Sequence, residues 1–534
     1  MYLSVAAQTD GVADRNQIAY VGNRACATCH SSIYESYSRH PMALTSGVVS
    51  QTGIEGSFRH APSSIIYRIY QKGTKTFFSY ERPGDPTTNG KQELDYFVGS
   101  GTRGRSYLFS VDGFLYQAPI SYYAQKNRWD ISPGYESYRE MPTRPIEPSC
   151  LYCHTSQLQP ISGTQNRYSS PPFAHAAVSC ERCHGPGGDH VKGRGAMVNP
   201  ATLAADRRDS VCAQCHLIGE ARIQQPGRNL DMFRPGDLLS DYVSHFVYED
   251  NNKKGLRAVS HVEAVGQSLC KRRSEGRMSC FSCHDPHSVP DPQQKASYFR
   301  EKCLACHGQR PTNVQSQHYS KNFDCTSCHM PKISSDVSHT AVTDHRILRK
   351  PLERSTQSKP GPRLIQFGTN KTDERGLGLA YAERALETGD AFSRSEALRL
   401  LTKVLPLYPQ DAEVLMHLGY LHHIRGELEQ SSVLYDAALR SDPQRLAAAI
   451  DLGAIYAQRG QLDRAMSLWR GALEHNPGSR EASLNLAITL CSRGERKSAR
   501  EALHRVLRFN PDLGLAKQLL RDLDSAQPRC RTSP

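Results

Sequence analysis

Seven copies of C-x-x-C-H lie between residues 26 and 329, and they constrain this chain more than any other feature. They run Cys26–His30, Cys150–His154, Cys180–His184, Cys212–His216, Cys280–His284, Cys303–His307 and Cys325–His329. Two cysteines at this spacing form thioethers to the two vinyl groups of one haem, and the adjoining histidine is carried under the iron. The expected thioether positions are Cys26, Cys29, Cys150, Cys153, Cys180, Cys183, Cys212, Cys215, Cys280, Cys283, Cys303, Cys306, Cys325 and Cys328. The expected proximal iron ligands are His30, His154, His184, His216, His284, His307 and His329. Fourteen of the 17 cysteines are thereby used, leaving Cys270, Cys491 and Cys530. A disulfide framework needs no histidine after every second cysteine. Zinc ribbons share the C-x-x-C pairs, but seven following histidines out of seven select covalently attached haem c, seven per chain.

Spacing then limits the architecture. From Cys150 onward the first cysteines are 30, 32, 68, 23 and 22 residues apart. Most of these gaps hold a helix and a turn rather than a domain, so adjacent haems are expected to pack closely. Seven of the 22 histidines belong to motifs and five (His417, His422, His423, His475 and His504) fall in the last third of the chain. Ten remain as candidate distal iron ligands: His40, His60, His175, His190, His245, His261, His287, His318, His339 and His345. Seven bis-histidine irons are within that supply. Methionine competes as a distal ligand and raises the potential, but it more often serves packing. His287 stands three residues beyond His284. It is too close to reach round easily to the opposite face of the same haem, but is free to ligate a neighbouring one.

The chain divides by composition. Residues 1–20 are polar and expected to be disordered, and residues 21–348 form the seven-haem module. Within it, residues 54–145 carry no motif and read as a β-rich insert, with a hairpin at Ser64–Tyr70 and Thr76–Tyr80 and strands near Leu94–Val98, Ser106–Val111 and Leu115–Tyr123. Prolines, glycines and basic residues mark a linker over 349–370. Pro409, Pro443, Pro477 and Pro511 then recur every 34 residues, as do Gly426, Gly460 and Gly494. Leu452, Gly453, Tyr456, Ala465, Trp469, Ala472 and Pro477 occupy tetratricopeptide-repeat positions, so residues 371–524 are expected to form an α-solenoid with a concave face for a protein partner. Residues 525–534 are a tail. Cys491 is expected to pack, and Cys530 is open between a free thiol and an intermolecular link. The fold class is therefore multidomain: a haem-organised, mostly α cytochrome with a β-rich insert, followed by the solenoid.

Net charge is +13 overall, yet residues 371–524 hold 21 Lys+Arg against 21 Asp+Glu. With Arg529 and Arg531 set aside, 13 − 2 = +11 belongs to residues 1–370. Fourteen propionates on seven haems account for a basic excess better than nucleic acid does. No run of about 18 apolar residues predicts a membrane span. Covalent haem attachment takes place outside the bacterial cytoplasm, so a periplasmic or extracellular location is expected, although Met1–Ala7 does not read as a signal peptide.

Four stretches carry a resemblance. They are Cys180–His184 with Gly185-Pro186-Gly187 and His190, Cys280–His284 with Asp285-Pro286-His287, Cys325–His329 with Met330-Pro331-Lys332, and Thr343-Asp344-His345-Arg346. The chain resembles multihaem c-type cytochromes of the cytochrome c-554, nitrite reductase and hydroxylamine oxidoreductase group, with appended tetratricopeptide repeats. The resemblance implies that His287 ligates a neighbouring haem and that His190, His261, His318 and His345 are distal ligands. It does not carry nitrite-reductase activity, because those enzymes have lysine at one motif histidine and here all seven positions are histidine. The expected function is electron transfer along closely packed haems, with the repeats docking a redox partner or sister subunit. Two alternatives stand beside it: reduction or oxidation of a small nitrogen or sulfur oxyanion at one open haem, and a homo-oligomeric extracellular haem filament.

Overall fold

The computed structural model describes residues 19–49, 55–135, 143–249, 259, 261–308, 324–335, 337, 339–349, 362–369 and 371–525. Most of residues 1–20, His318, most of the expected linker and all but Ser525 of the tail lie outside the described residues.

Aromatic and β-branched alternation builds the insert as expected. Gly56–His60, Ile65–Lys72, Lys75–Arg82 and Asp85–Leu94 form a four-stranded antiparallel meander. Tyr96–Val98, Arg105–Val111 and Phe114–Tyr123 form the middle of a second sheet, with Ser46–Val48, Arg128–Ile131 and Arg144–Pro145 added at its edges. Ile65, Tyr67, Ile69 and Phe78 pack from the first sheet against Tyr107, Ala118, Ile120 and Trp129 of the second. Such a core is supplied by side chains alone and needs no cofactor. Asp85–Leu94 escapes sequence reading because its Asp, Pro, Asn, Gly, Lys and Glu have low strand propensity. It is held by its partner Lys75–Arg82 across the ladder.

Strands also occur beyond the insert. Ser156–Pro160 pairs with Tyr168–His175, and Ala221–Gln224, Val243–Tyr248 and Leu364–Gln366 form a three-stranded sheet. The last of these falls within the stretch expected as linker. Its apolar Leu364 is buried with Phe246, Tyr248, Leu379, Leu400 and Leu401, so this strand ties the motif-bearing half to the first repeat.

Four helix pairs follow: Glu374–Thr388 with Ala391–Val404, Ala412–His423 with Leu428–Ser441, Leu446–Gln458 with Leu462–His475, and Arg480–Ser492 with Arg496–Phe509. Gly514–Asp524 closes the stack. The repeat glycines are where helices of a pair touch most closely. A Cβ on Gly453 would meet Trp469 Nε1 at 2.5 Å, and one on Gly419 would meet the Tyr435 ring at 2.8 Å. The next copy carries Ala487, and Leu503 occupies the place 34 residues beyond Trp469, so the smaller partner leaves room for the extra methyl.

The solenoid is not a free arm. Its first pair sits on the three-stranded sheet, where Arg375 donates to the Gln224 carbonyl at 2.9 Å and Arg384 lies over the Tyr248 ring. Its last turns return to the β-rich insert. Arg82 pairs with the buried Asp512 at 2.9 Å, Lys517 donates to the Thr87 carbonyl, and Phe509 packs on Phe114 and Tyr116. Between these anchors a cavity of about 320 Å³ opens, walled by Glu147, Pro148 and Gln165 on one side and Met416, Leu446 and His475 on the other.

One carboxylate on the repeats is tuned by this arrangement. Burial raises Glu383 to about 7, with Glu413 and Glu387 adding to the rise and His417 and Arg222 opposing it. A carboxyl whose folded pKa exceeds its unfolded value near 4.5 loses stability contribution as pH climbs from about 4.5 to about 7. The side chain still reaches solvent, which weakens the effect. Glu383→Gln is therefore expected to gain melting temperature relative to the parent as pH rises through that window, followed by helical circular dichroism. A difference that stays flat with pH refutes the assignment.

Candidate haem-attachment cluster

The seven motifs sit on helical turns or at the ends of helices, and each described motif cysteine is a free thiol, exposed or half-exposed. Around the last three motifs protein packing nearly vanishes. No described residue from 269 to 341 is buried. The helix Lys295–His307 has no buried residue although it carries Tyr298, Phe299 and Leu304, the last 40% exposed. An apolar plate the size of a porphyrin supplies the surface this segment does not find in the chain. The residues present thus fit the group that their motif implies.

Histidine rings supply the second half of the fit. Two imidazoles bound to one iron at about 2 Å per metal–nitrogen bond have ring centres roughly 6 Å apart. His30 and His190 are 6.4 Å apart at 18°, His184 and His287 are 5.9 Å apart at 7°, and His284 and His345 are 6.2 Å apart at 28°. In each pair one ring follows a C-x-x-C and the other was a candidate distal ligand. His261 lies edge-on to both His216 and His345, at 5.1 and 4.9 Å.

The other ring nitrogen is often already assigned. Nδ1 faces a backbone carbonyl in His184 (Val198, 2.8 Å), His329 (Leu348, 2.7 Å), His345 (Thr343, 2.9 Å) and His190 (Gly195, 3.1 Å). An Nδ1–H donated to a carbonyl leaves Nε2 as the lone-pair nitrogen, the arrangement seen in metal-binding histidines. Burial drives His284 down to about 4, His245 to about 3 and His261 to about 2, with neighbouring histidines adding to the effect at His284 and His261 and Arg222 at His245. Each is then the neutral form that a metal requires.

The remaining candidates are spread more widely. His40 Nδ1 accepts from the Met42 amide at 3.1 Å, and its ring stacks on Tyr37. His60 is buried in the insert beside Ser63. His175 lies against Gly22, just before the first motif. His245 sits opposite Arg222 in the three-stranded sheet. His339 directs Nε2 to Asp130 at 2.9 Å, so that nitrogen is engaged. The ring pairing reported for His30, His184 and His284 has no counterpart at His154, whose buried Nδ1 lacks a partner among the described residues.

Sequence reading missed the residues inside the motifs. Glu181 is 1% exposed and accepts from the amides of Val21 (2.9 Å), Gly22 (2.8 Å) and Gly187 (2.8 Å), joining the third motif to the first. Arg182 donates to the carbonyls of Tyr152 and Thr155, both at 2.9 Å, and lies over the Tyr152 ring. Gln214 accepts from Tyr152 Oη at 2.8 Å and donates to the Arg182 carbonyl at 3.4 Å. These positions are the x-x of C-x-x-C-H, which the attachment chemistry leaves unspecified. Charged or amide side chains there were the only available signal.

Comparison with known proteins matches four segments. The doubled CXXCH motif family covers residues 274–312, the cytochrome c554 and c-prime family covers 125–185, and tetratricopeptide repeat families cover 379–445 and 456–523. The multiheme cytochrome MtrA of Shewanella baltica is 27% identical over 40% of this chain and 54% of its own length. The dissimilatory sulfite reductase MccA of Wolinella succinogenes is 26% identical over 31% of this chain and 24% of its own. The chain thus spans about half the length of the first relative and a quarter of the second. Among solved structures, MamA of AMB-1 is 24% identical over 27% of this chain and 74% of its own, with a TM-score of 0.24. A tetratricopeptide repeat protein of Parabacteroides merdae is 16% identical over 29% and 61%, with a TM-score of 0.25. The helix pairs and family matches, rather than these scores, carry the repeat assignment. No described helix is long and apolar enough to cross a membrane.

Proposed function

We propose that this chain, a multihaem c-type cytochrome carrying tetratricopeptide repeats, is an exported electron carrier that holds seven haems. The histidine pairs are the observation that carries the reading. His30 with His190, His184 with His287, and His284 with His345 are spaced to hold one iron each between them. Bound haem supplies one-electron chemistry between ferric and ferrous iron. The chain's own part is to fix ring orientation through backbone carbonyls, to hold His284, His245 and His261 neutral by burial, and to crowd the attachment loops together. The basic excess in residues 1–370 serves the propionates. The repeats add a protein-binding element; because their ends are anchored on the cytochrome, a partner held there is held near the motif at Cys150. Export is supported by the attachment chemistry, which takes place outside the bacterial cytoplasm.

The purified holoprotein is expected to show the mass of the chain plus seven haems and, in the ferric state, low-spin paramagnetic resonance for the paired irons. A lower haem number overturns the cofactor count. The second reading, an oxyanion reductase, draws on His154, which among the described residues has no ring partner of the kind seen at the three pairs. A high-spin signal that shifts on adding sulfite or nitrite selects it, and seven low-spin haems remove it.

A further inference from the structure

Resting on that reading, we infer that the attachment loops at Cys150–His154, Cys180–His184 and Cys212–His216 form a three-way node, locked by Arg182 and Gln214 as positioning residues. The spatial order of the haem sites therefore departs from their order in the sequence.

The node is built from direct bonds. Arg182, inside the third motif, holds two carbonyls of the second motif and its flank. Gln214, inside the fourth, meets Tyr152 of the second motif and the Arg182 carbonyl of the third. Cys153 Sγ lies 3.9 Å from the Gln214 carbonyl, and its thiol meets that of Cys215. Tyr152, Ala213 and Leu217 share one apolar cluster, with Cys153 and Cys215 packed on it. Each of the three loops therefore touches the other two.

Further contacts lead outward from the node. Glu181 and the bond from the Cys180 amide to Asn23 connect the third motif to the first, whose Cys26 thiol meets Cys180. Lys271 pairs with Asp209 at 2.5 Å and the Cys212 thiol meets Cys280, connecting the fourth motif to the fifth. The helix Lys295–His307, which ends in the sixth motif, packs on Cys325–His329 and carries the line on to the seventh. No comparable bond joins the first motif to the second among the described residues. The second motif is thus a side arm, and its flank Glu147–Pro148 faces the repeats across the cavity that Met416 and Leu446 wall. An electron leaving any node site oxidises one ferrous iron and reduces one neighbouring ferric iron, with no bond made or broken, so the node offers a choice of direction that a single file lacks.

Iron positions in crystals of the full holoprotein, located by anomalous scattering at the iron edge, test the arrangement directly. The iron at His154 is expected to have those at His184 and His216 as its two nearest neighbours, with the iron at His30 farther away. Finding the His30 iron among its two nearest overturns the node. A map with fewer than seven irons instead counts against the proposed cofactor number. The positioning role has its own readout. Arg182→Met, confirmed by mass to retain every haem, is expected to lower the midpoint potential of node haems in a spectroelectrochemical titration, because a half-buried cation beside Cys153, Cys183 and Cys215 is removed. Arg68→Met, at a half-exposed pair on the insert, is the control expected to leave the titration unchanged. Superimposable titrations for Arg182→Met and the parent refute the positioning role.

Discussion

Replacing His287 with alanine is expected to leave the haem number intact while turning the haem at Cys180–His184, not the one at Cys280–His284, from low-spin to high-spin. The ring of His287 lies 5.9 Å from that of His184 and nearly parallel to it, although 103 residues separate them. His284, three residues from His287, is matched instead with His345 at 6.2 Å. Loss of one strong axial nitrogen leaves a five-coordinate or water-bound iron, a change visible in electron paramagnetic resonance and magnetic circular dichroism. Attribution comes from combining variants. His345→Ala is expected to make a different haem high-spin, and the double variant to show two. If the double variant resembles either single one, the two histidines serve the same iron and the pairing is wrong. An unaltered spectrum for His287→Ala reduces the ring to a surface group.

Glu181→Ala is expected to destabilise the cytochrome half by about 3–5 kcal/mol, since removing the carboxylate strands three backbone amides at about 1–3 kcal/mol each. The carboxylate collects three backbone amides from two segments and is 1% exposed, so no water replaces it without opening the site. Glu181→Gln keeps one acceptor oxygen and is expected to lose less than half as much. Urea unfolding of the loaded protein, followed at the Soret band, reads both. A loss below about 1 kcal/mol for alanine, the range of ordinary surface changes, contradicts the role.

Much of the chain was legible before its structure. A 34-residue period in proline and glycine announced the solenoid, because each repeat must bury the same face against the next. Aromatic alternation announced Ile65–Lys72 and Lys75–Arg82, since a two-residue period places one face of a strand inward. Three kinds of feature stayed hidden. Asp85–Leu94 is a strand by pairing rather than by propensity, and Leu364–Gln366 sits in a composition that reads as linker but finds an open sheet edge at Val243–Tyr248. Ring partners such as His184 and His287 are products of tertiary folding, and no spacing rule reaches across 103 residues. Resemblance narrowed His287 to a neighbouring haem without naming which one. Glu181, Arg182 and Gln214 lie where the attachment motif tolerates any residue, so their role emerges only from what they touch.

None of the described residues from 269 to 341 is buried, which bears on how the protein is made. The helical turns of its three motifs gain little packing from the chain, whereas the insert and the solenoid possess side-chain cores of their own. Those ends are therefore expected to condense without cofactor, and the middle to gain its packing as the haems attach. Folding of that middle is coupled to cofactor attachment, as it is in small metal-dependent domains. A chain that misses a haem keeps an unsealed segment accessible to proteases, so incomplete carriers are cleared before they enter a redox circuit.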